Sequence, residues 1–223
     1  MTEALTERTL SDLACSLPGS TRLFHDYKLD FCCGGQSTLR DAAARRGLDA
    51  ERIAGELLAL RPGNDERDWR QASNRELIEH ILERYHDRHR EQLPELIRLA
   101  ARVEKVHGGR ADCPQGLAAH LHLMQEELES HMCKEEHVLF PLLGQSVPLF
   151  QVQGPIGVMR HEHDEHAASL ARLAELTNDL QPPANACNTW RALYAGLEEL
   201  RRDLMQHIHL ENNILFIGAN QPS

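Results

Sequence analysis

The sequence has 223 residues, of which 41% are hydrophobic and only 4% aromatic, and its formal net charge is −10. This composition excludes a disordered chain, and no apolar run approaches the roughly 20 residues that a membrane-spanning helix needs. The acidic balance disfavours nucleic acid as a partner, because phosphates repel such a chain at long range. Many Leu, Ala, Glu and Arg residues with few aromatic ones favour an all-α fold.

The N-terminal segment "MTEALTERTLSDLACSL" has acidic residues and no apolar core of the length that a signal peptide requires. We therefore expect a cytoplasmic protein, in which the six cysteines are thiols rather than a disulfide framework. None of them forms a C-x-x-C pair, which disfavours a structural zinc site built from cysteines.

Residues 1–65 predict a small domain of short helices, in which Gly47 ends one helix and Asp49 caps the next. This region contains "DFCCGG", with the adjacent thiols of Cys32 and Cys33 before a tight turn. Two interpretations are open: a redox, sulfur-handling or nitrosyl-accepting thiol pair, or two small residues that pack a turn. Adjacent cysteines are not expected to share one metal ion with good geometry.

Residues 61–72 are rich in Pro, Gly, Asn and charge and predict a linker to a second domain, residues 73–220. That domain is predicted to contain four long helices, at about 73–106, 114–143, 155–178 and 188–216. Ser73 and Glu76 form a capping-box pattern, Pro94 should kink the first helix, and Pro155 suits the start of the third. Long helices joined by short loops are typical of an up-down-up-down four-helix bundle.

Two phrases of this second domain repeat each other. "SHMCKEEHVLF" places His131 and Glu135 four residues apart, and "QHIHLENNILF" places His207 and Glu211 at the same spacing, 76 residues later. Residues four apart lie on one face of an α-helix. Each pair therefore points at one place in the bundle.

The other two helices share the pattern H-D-x-H, which begins at His86 and again at His163, 77 residues later. The bundle is therefore predicted to consist of two helical hairpins related by a pseudo-twofold axis.

Four imidazoles and two carboxylates that converge from four helices point to a pair of metal ions, since one ion rarely takes six such ligands. Mixed imidazole and carboxylate ligation suits iron, manganese or zinc, and we favour two non-haem iron ions with an oxo or hydroxo bridge. In this prediction Glu135 and Glu211 bridge the ions. The predicted ligands are His86, His131, Glu135, His163, His207 and Glu211.

Other residues lie near the ligand positions in sequence. Glu127 and Asp203 are each four residues before a ligand histidine and are candidates for a supporting or proton-relay role. His89 and His166 follow ligand positions by three residues, and either a metal-binding or a supporting role is open. Three histidines off the ligand face are expected at the solvent-exposed surface: His137, His161 and His209.

Five segments of the chain together resemble the repair of iron centres family, hemerythrin-like di-iron proteins of the YtfE/ScdA type. The segments are "DFCCGG", "RYHDRHREQLPEL", "EELESHMCKEEHVLFP", "EHDEH" and "HIHLENNILF". The resemblance covers nearly the whole chain, and its iron ligands fall on the same six residues. It implies a hemerythrin-like bundle preceded by a small helical domain.

The resemblance also implies that the protein repairs iron–sulfur clusters damaged by nitrosative or oxidative stress, through nitric oxide chemistry, iron donation or both. Damaged iron–sulfur proteins would be its partners, and nitric oxide or oxygen its small-molecule ligand. The alternative is a hemerythrin-like module that binds or senses oxygen or nitric oxide without turnover. Whether the protein is an enzyme, such as a nitric oxide reductase, and whether it is a monomer or a homodimer, are both open.

Overall fold

The computed structural model describes residues 2–60, 67–145 and 147–218. The chain divides into two compact units, Met1–Leu77 with Met205–Ser223, and Ile78–Leu204. Residues 61–66, the first half of the predicted linker, lie outside the described residues, and the predicted domain boundaries remain a prediction.

The first unit begins with five short helices. They are α1 (Thr2–Thr6), α2 (Leu10–Ser16), α3 (Ser20–Asp26), α4 (Leu39–Arg45) and α5 (Ala50–Ala59). The side chains of Thr9, Thr38 and Asp49 accept backbone N–H groups at the starts of α2, α4 and α5, as predicted for Asp49. Thr9 and Thr38 also pair in an isolated antiparallel bridge. These caps fix where each short helix starts.

The first unit has an aromatic core. Phe24 and Phe31 are buried, with ring centroids 6.0 Å apart, and Leu13 and Leu39 are fully buried. Phe216 from the C-terminal segment is fully buried as well. Burial of such side chains contributes about 1.5–3 kcal/mol each, which lets a unit of short helices hold its shape.

The part of the chain that the structure describes contains seven further α-helices after a 3₁₀ turn at Trp69–Gln71. They are α6 (Asn74–Ile81), α7 (Asp87–His107), α8 (Leu117–Lys134), α9 (Phe140–Leu143), α10 (Leu149–Leu176), α11 (Asn188–Leu210) and α12 (Phe216–Gly218). The described residues contain no β-strand beyond the isolated bridge, so the all-α prediction is confirmed.

The start of α6 follows the predicted capping box. The Ser73 N–H donates to Glu76 Oε2 at 3.0 Å, and the Glu76 N–H donates to Ser73 Oγ at 3.3 Å. The predicted start of the third long helix is wrong, because α10 begins at Leu149 and contains Pro155 in its second turn. The chain leaves its extended conformation at Pro148, so the helix starts directly after that residue.

In the second unit, α7 packs along α8, and α8 packs against α10. Gly196 of α11 lies against α7, because a Cβ added there would be 2.7 Å from Leu96 Cδ2. Gln92 Nε2 of α7 donates to the Gly196 carbonyl at 3.2 Å. The helical bundle predicted from the sequence is thus observed, and no helix in its described part is long and apolar enough to cross a membrane.

Candidate metal centre

Three of the six predicted metal ligands lie at an end of a π turn, which is a helical turn widened by one residue. The π turns are Leu82–His86, Glu135–Leu139 and Glu211–Leu215. His86 ends the first of them, whereas Glu135 and Glu211 begin the other two. The extra residue re-aims the side chains on either side of it, so these local distortions determine where the three side chains point.

Four of the predicted ligands converge in the second unit, around the fully buried carboxylate of Glu135. Glu135 Oε2 lies 3.4 Å from His86 Nε2 and 3.4 Å from His131 Nε2. His163 Nε2 lies 3.2 Å from His131 Nε2. Helices remote in sequence thus bring three imidazoles and one carboxylate into one buried cluster.

Glu136 holds the ring of His86 from the opposite side. Its Oε1 lies 2.8 Å from His86 Nδ1, and Arg90 Nη2 pairs with the same oxygen at 2.9 Å. Burial alone would raise the pKa of Glu136, but hydrogen bonds from Arg90 and His86 outweigh burial and lower it. The ionised carboxylate accepts the proton on Nδ1, which leaves the Nε2 lone pair pointing at Glu135.

Glu162 does the same for His131. Glu162 Oε2 lies 2.9 Å from His131 Nδ1, and the ammonium group of Lys134 pairs with the other carboxylate oxygen. Lys134, Glu162 and His131 thus form the same chain of contacts, from cation to carboxylate to imidazole, as Arg90, Glu136 and His86. Both histidines are therefore held in the tautomer that metal ligation requires.

Glu136 and Glu162 were not predicted from the sequence. Each is a direct neighbour of a predicted ligand, Glu135 or His163, but each acts on a histidine of a different helix. Spacing along one helix cannot reveal such a pairing, and adjacency to a ligand was the only signal available.

The donor atoms of this cluster fit a non-haem metal site. Two imidazole lone pairs face a carboxylate oxygen, and the donor atoms of His131, Glu135 and His163 lie within 4.8 Å of one another. Lone pairs and a carboxylate placed so close together repel one another, and a cation among them removes that repulsion. Imidazole with carboxylate is the ligand set expected for iron rather than for a structural zinc ion.

The remaining two predicted ligands lie together in the first unit. His207 is in the last turn of α11, Glu211 begins the π turn that follows, and both are fully buried. His207 Nε2 lies 3.2 Å from Glu211 Oε1. The spacing of four residues therefore brings imidazole and carboxylate into contact, as it does for His131 and Glu135.

The residues predicted to support the ligands have other observed contacts. Glu127 Oε2 accepts a hydrogen bond from Ser169 Oγ at 3.3 Å, and a relay role for Glu127 remains a prediction. The buried carboxylate of Asp203 pairs with both terminal nitrogens of Arg84, at 2.8 and 3.1 Å. Asp203 thus links α11 to the π turn Leu82–His86, in which Arg84 lies.

The other histidines divide by burial. His89 and His166 are buried, and the ring of His166 stands edge-on to that of His131, with centroids 4.9 Å apart. A metal-binding or a supporting role for these two histidines remains a prediction. His137 and His161 are exposed, as expected.

The expectation that His209 lies at the surface is wrong, because its side chain is buried. Its ring packs edge-on against Phe31 at 5.5 Å, and its Nδ1 accepts a hydrogen bond from Asn213 Nδ2 at 3.0 Å. Burial lowers the pKa of His209 to about 4. The loop that contains Phe31 covers the helix face that points away from the ligands. The helical pattern of the sequence alone does not show that this face is covered.

The thiol pair lies in that loop. Asn212 Nδ2 donates to the Cys32 carbonyl at 3.2 Å, and Asn213 Nδ2 donates to the Phe31 carbonyl at 3.1 Å. Cys32 is buried and Cys33 half-buried. A hydrogen bond to Cys33 and burial raise the pKa of the Cys32 thiol well above its usual value. The two asparagines directly follow Glu211, so the loop is attached next to a predicted ligand.

Comparison with known families agrees with this geometry. The sequence model of the Hemerythrin HHE cation binding domain matches residues 77–216, and that of a domain of unknown function, DUF542, matches residues 6–61. The first range includes all six predicted ligands, and the second includes the thiol pair.

Several curated relatives match over nearly their full length. A protein named Iron-sulfur cluster repair protein YtfE from Cronobacter sakazakii is 53% identical over 216 residues, 97% of each chain. Proteins of the same name from Pectobacterium atrosepticum and Escherichia coli are each 50% identical and cover 97% of this chain and 98% of their own. The chain therefore belongs to the hemerythrin HHE family and, within it, to the iron–sulfur cluster repair proteins of the YtfE type.

Proposed function

We propose that this protein restores iron–sulfur clusters damaged by nitrosative or oxidative stress, with a pair of non-haem iron ions as its working centre. The observation that carries the proposal is the buried cluster around Glu135, in which carboxylates orient two of the three imidazoles, those of His86 and His131. The relatives that match nearly the whole chain are named for iron–sulfur cluster repair. Damaged iron–sulfur proteins are the proposed partners.

The proposed centre uses all six ligands, with Glu135 and Glu211 as bridging carboxylates and an oxo or hydroxo group between the ions. Its support is the repeat of the His–Glu pair at an offset of 76 residues, together with the complete burial of both glutamates. Two imidazoles per ion then complete the set. When bound, such a pair supplies electrons and releasable ferrous iron, and it binds nitric oxide or oxygen.

The protein's own residues orient and protect this centre. Glu136 and Glu162 fix the two rings, while Arg90 and Lys134 hold those carboxylates in place. Complete burial of His86 and near-complete burial of His131 keep bulk water away from the donor atoms. We keep Glu127 as a proposed proton relay and Cys32 with Cys33 as the proposed thiol contact to a client or an electron donor.

The proposed place of action is the cytoplasm. All six cysteines are free thiols in the structure, and thiols persist in a reducing compartment.

One experiment tests the proposal and separates its two routes. The reduced, iron-loaded protein is given nitric oxide in the presence of a client with a damaged iron–sulfur cluster, and nitrous oxide and client activity are followed together. Client recovery with loss of iron from this protein supports donation, and recovery with nitrous oxide formation supports nitric oxide chemistry. The variant His161→Ala, which changes an exposed histidine, is the matched control.

The proposal would be contradicted if neither nitrous oxide formation nor client recovery were observed. Stable uptake of nitric oxide or oxygen without turnover would then support the alternative, a binding or sensing module.

A further inference from the structure

The loop that carries the thiol pair brings three potential metal ligands together in the first unit. Cys32 Sγ lies 3.8 Å from Cys33 Sγ and 3.3 Å from Asp30 Oδ1. One donor atom from each of these residues lies within 4.8 Å of the others. This cluster is separate in composition from the imidazole–carboxylate cluster, because two of its three donors are sulfur.

These distances match the distances between ligand atoms around a tetrahedrally coordinated metal ion. With metal–sulfur bonds of about 2.3 Å and tetrahedral angles, two thiolate sulfurs lie about 3.8 Å apart, and a sulfur and a carboxylate oxygen lie about 3.5 Å apart. The expectation that adjacent cysteines cannot share a metal ion is therefore contradicted by the loop geometry. The turn directs both thiols to the same side, where Asp30 supplies the third donor.

The backbone of the loop is fixed from two sides. Asp30 Oδ1 accepts the N–H groups of Cys32 and Cys33 at 3.2 and 3.0 Å, and Asn212 and Asn213 donate to the carbonyls of Cys32 and Phe31. The thiol positions are thus set by hydrogen bonds rather than by the ion. A preformed arrangement of this kind lowers the cost of binding.

The two glycines after the cysteines are required by the same packing. A Cβ at Gly34 would lie 2.9 Å from Asp30 Oδ2, and a Cβ at Gly35 would lie 2.6 Å from the Phe31 carbonyl oxygen. A side chain at either position would push away the group that holds the cysteines. The Cys-Cys-Gly-Gly sequence is therefore explained by the geometry of one compact cluster.

Part of the cluster is accessible from solvent. Asp30 is exposed, and with Gly34 it borders a cavity of about 720 Å³ that is also lined by Lys28, Arg45 and Arg46. Of the two thiols, Cys33 is half-buried and Cys32 is buried. An ion would therefore reach the cluster from the side of Asp30 and Cys33.

We propose that Asp30, Cys32 and Cys33 bind one ferrous ion, with the fourth coordination position open toward solvent. Binding releases the two thiol protons and involves no oxidation or reduction. The choice of iron as the metal rests on the proposed function. The inference that the cluster binds a metal ion rests only on the geometry of the loop. Asn212, which donates to the Cys32 carbonyl, follows Glu211 directly, so the loop of this site is hydrogen-bonded to the residue after a predicted ligand.

The test is a titration of the full-length protein, loaded with only two iron ions per chain, with Co²⁺ under anaerobic conditions. We expect uptake of one Co²⁺ per chain, with a near-ultraviolet thiolate-to-cobalt absorption band and intense visible bands from tetrahedral coordination. A large excess of Fe²⁺ added afterwards should displace the cobalt and remove these bands; the excess is needed because Fe²⁺ binds a given site more weakly than Co²⁺.

Three variants and one control make the assignment specific. Cys32→Ser and Cys33→Ser should abolish the band, and Asp30→Asn should weaken Co²⁺ binding at least tenfold while it keeps an oxygen that can accept the loop's N–H groups. Cys187→Ser, which changes an exposed cysteine outside the cluster, should leave the band unchanged. Circular dichroism of each variant checks that the helices are intact.

A wild-type protein without the band, or a band that survives in both cysteine variants, would overturn the metal site. Failure of a large excess of Fe²⁺ to displace the cobalt would overturn the assignment to iron. Both readouts are independent of cluster repair, so a failed repair assay would count against the proposed function and leave this result intact.

Discussion

The two helices that carry a His–Glu pair are built alike and are used differently. In each, the histidine lies in the last turn of a regular helix and the glutamate, four residues later, begins a π turn. After Glu135 the next residue, Glu136, supports the histidine of another helix. After Glu211 the next residues, Asn212 and Asn213, bind the carbonyls of the thiol loop instead.

This difference shows how one local structure serves two purposes. The π turn fixes the position of the glutamate in both helices. The type of residue that follows the glutamate determines which neighbouring group the turn contacts. A carboxylate there accepts the proton of an imidazole, whereas an amide donates to a backbone carbonyl. The repeat is therefore symmetric in its predicted ligands and asymmetric in its surroundings.

The largest expected effect is a loss of bound iron, and it tests the predicted ligands that the two halves of the repeat have in common. Glu135→Ala and Glu211→Ala should each lose most of the bound iron, because each removes a proposed bridging carboxylate. Iron content per chain after purification, measured by elemental analysis, checks this. His161→Ala should retain wild-type iron. Unequal losses from the two glutamate variants would show that the two halves of the repeat are not equivalent in binding.

The second prediction tests the residues that differ between the two helices, Glu136 after Glu135 and Asn212 after Glu211. Glu136→Ala should weaken iron binding about 10–100-fold, because removal of a carboxylate that orients a ligand histidine typically has that effect. Asn212→Ala, the matching change in the other helix, should leave the affinity of the imidazole–carboxylate cluster for iron unchanged, because Asn212 donates to the thiol loop and not to a ligand histidine. Competition with a ferrous chelator measures both affinities. Equal weakening by the two substitutions would contradict the distinction drawn between the two helices.

A smaller effect is expected on stability. Asn213→Ala should lower the free energy of unfolding by about 1–3 kcal/mol, because it leaves buried hydrogen-bonding groups of the loop and of His209 without this donor. Asn212 is less buried, so Asn212→Ala should cost only about 0.5–1.5 kcal/mol. Urea unfolding of the metal-free proteins measures both. A larger loss for Asn212→Ala would show that the buried contact is not the main one.

The smallest effect concerns Cys15, whose Sγ donates to the Asn213 carbonyl at 3.7 Å. Burial raises the pKa of the Cys15 thiol from 9.0 to about 11. Since the folded state holds this proton more tightly, the associated stability is complete below pH 9 and is lost between pH 9 and about 11. Cys15→Ser should lose less stability than the wild type across that window.

Alkylation gives a second measurement for the same thiol. At pH 9, Cys15 should react more slowly than the exposed Cys187, and mass spectrometry of the labelled peptides resolves the two. Equal rates would contradict burial of the thiol.

Much of this molecule could be predicted from its sequence. The all-helical class followed from composition, the starts of α5 and α6 followed from Asp49 and Ser73, and the His–Glu pairs followed from their spacing. These features depend on residues close together in the chain. Helical geometry converts such spacings directly into positions in space.

The remainder depends on contacts between distant segments. The π turns carry no glycine or proline that would indicate them, and the roles of Glu136 and Glu162 require two helices to be placed side by side. Burial of His209 depends on the loop that contains Phe31. The start of α10 at Leu149 instead of Pro155 shows that a proline permits a helix start without fixing it.

The π turns also show what one extra residue does to a helix. The turn Glu135–Leu139 holds one residue more than an α-helical turn, and the side chain of His137 within it is exposed. Deleting His137 would let the turn close into regular α-helix, because a π turn takes up one extra residue within a single widened turn. The helix beyond the deletion would keep its rotation, and the buried Phe140 would stay beside His86, against whose ring it stacks at 5.7 Å. Only the side chains at the turn itself would be re-aimed, and the carboxylate of Glu135 is the first of them. The widened turn therefore acts as an insertion that changes the direction of one carboxylate and leaves the rest of the helix where an unbroken α-helix would place it.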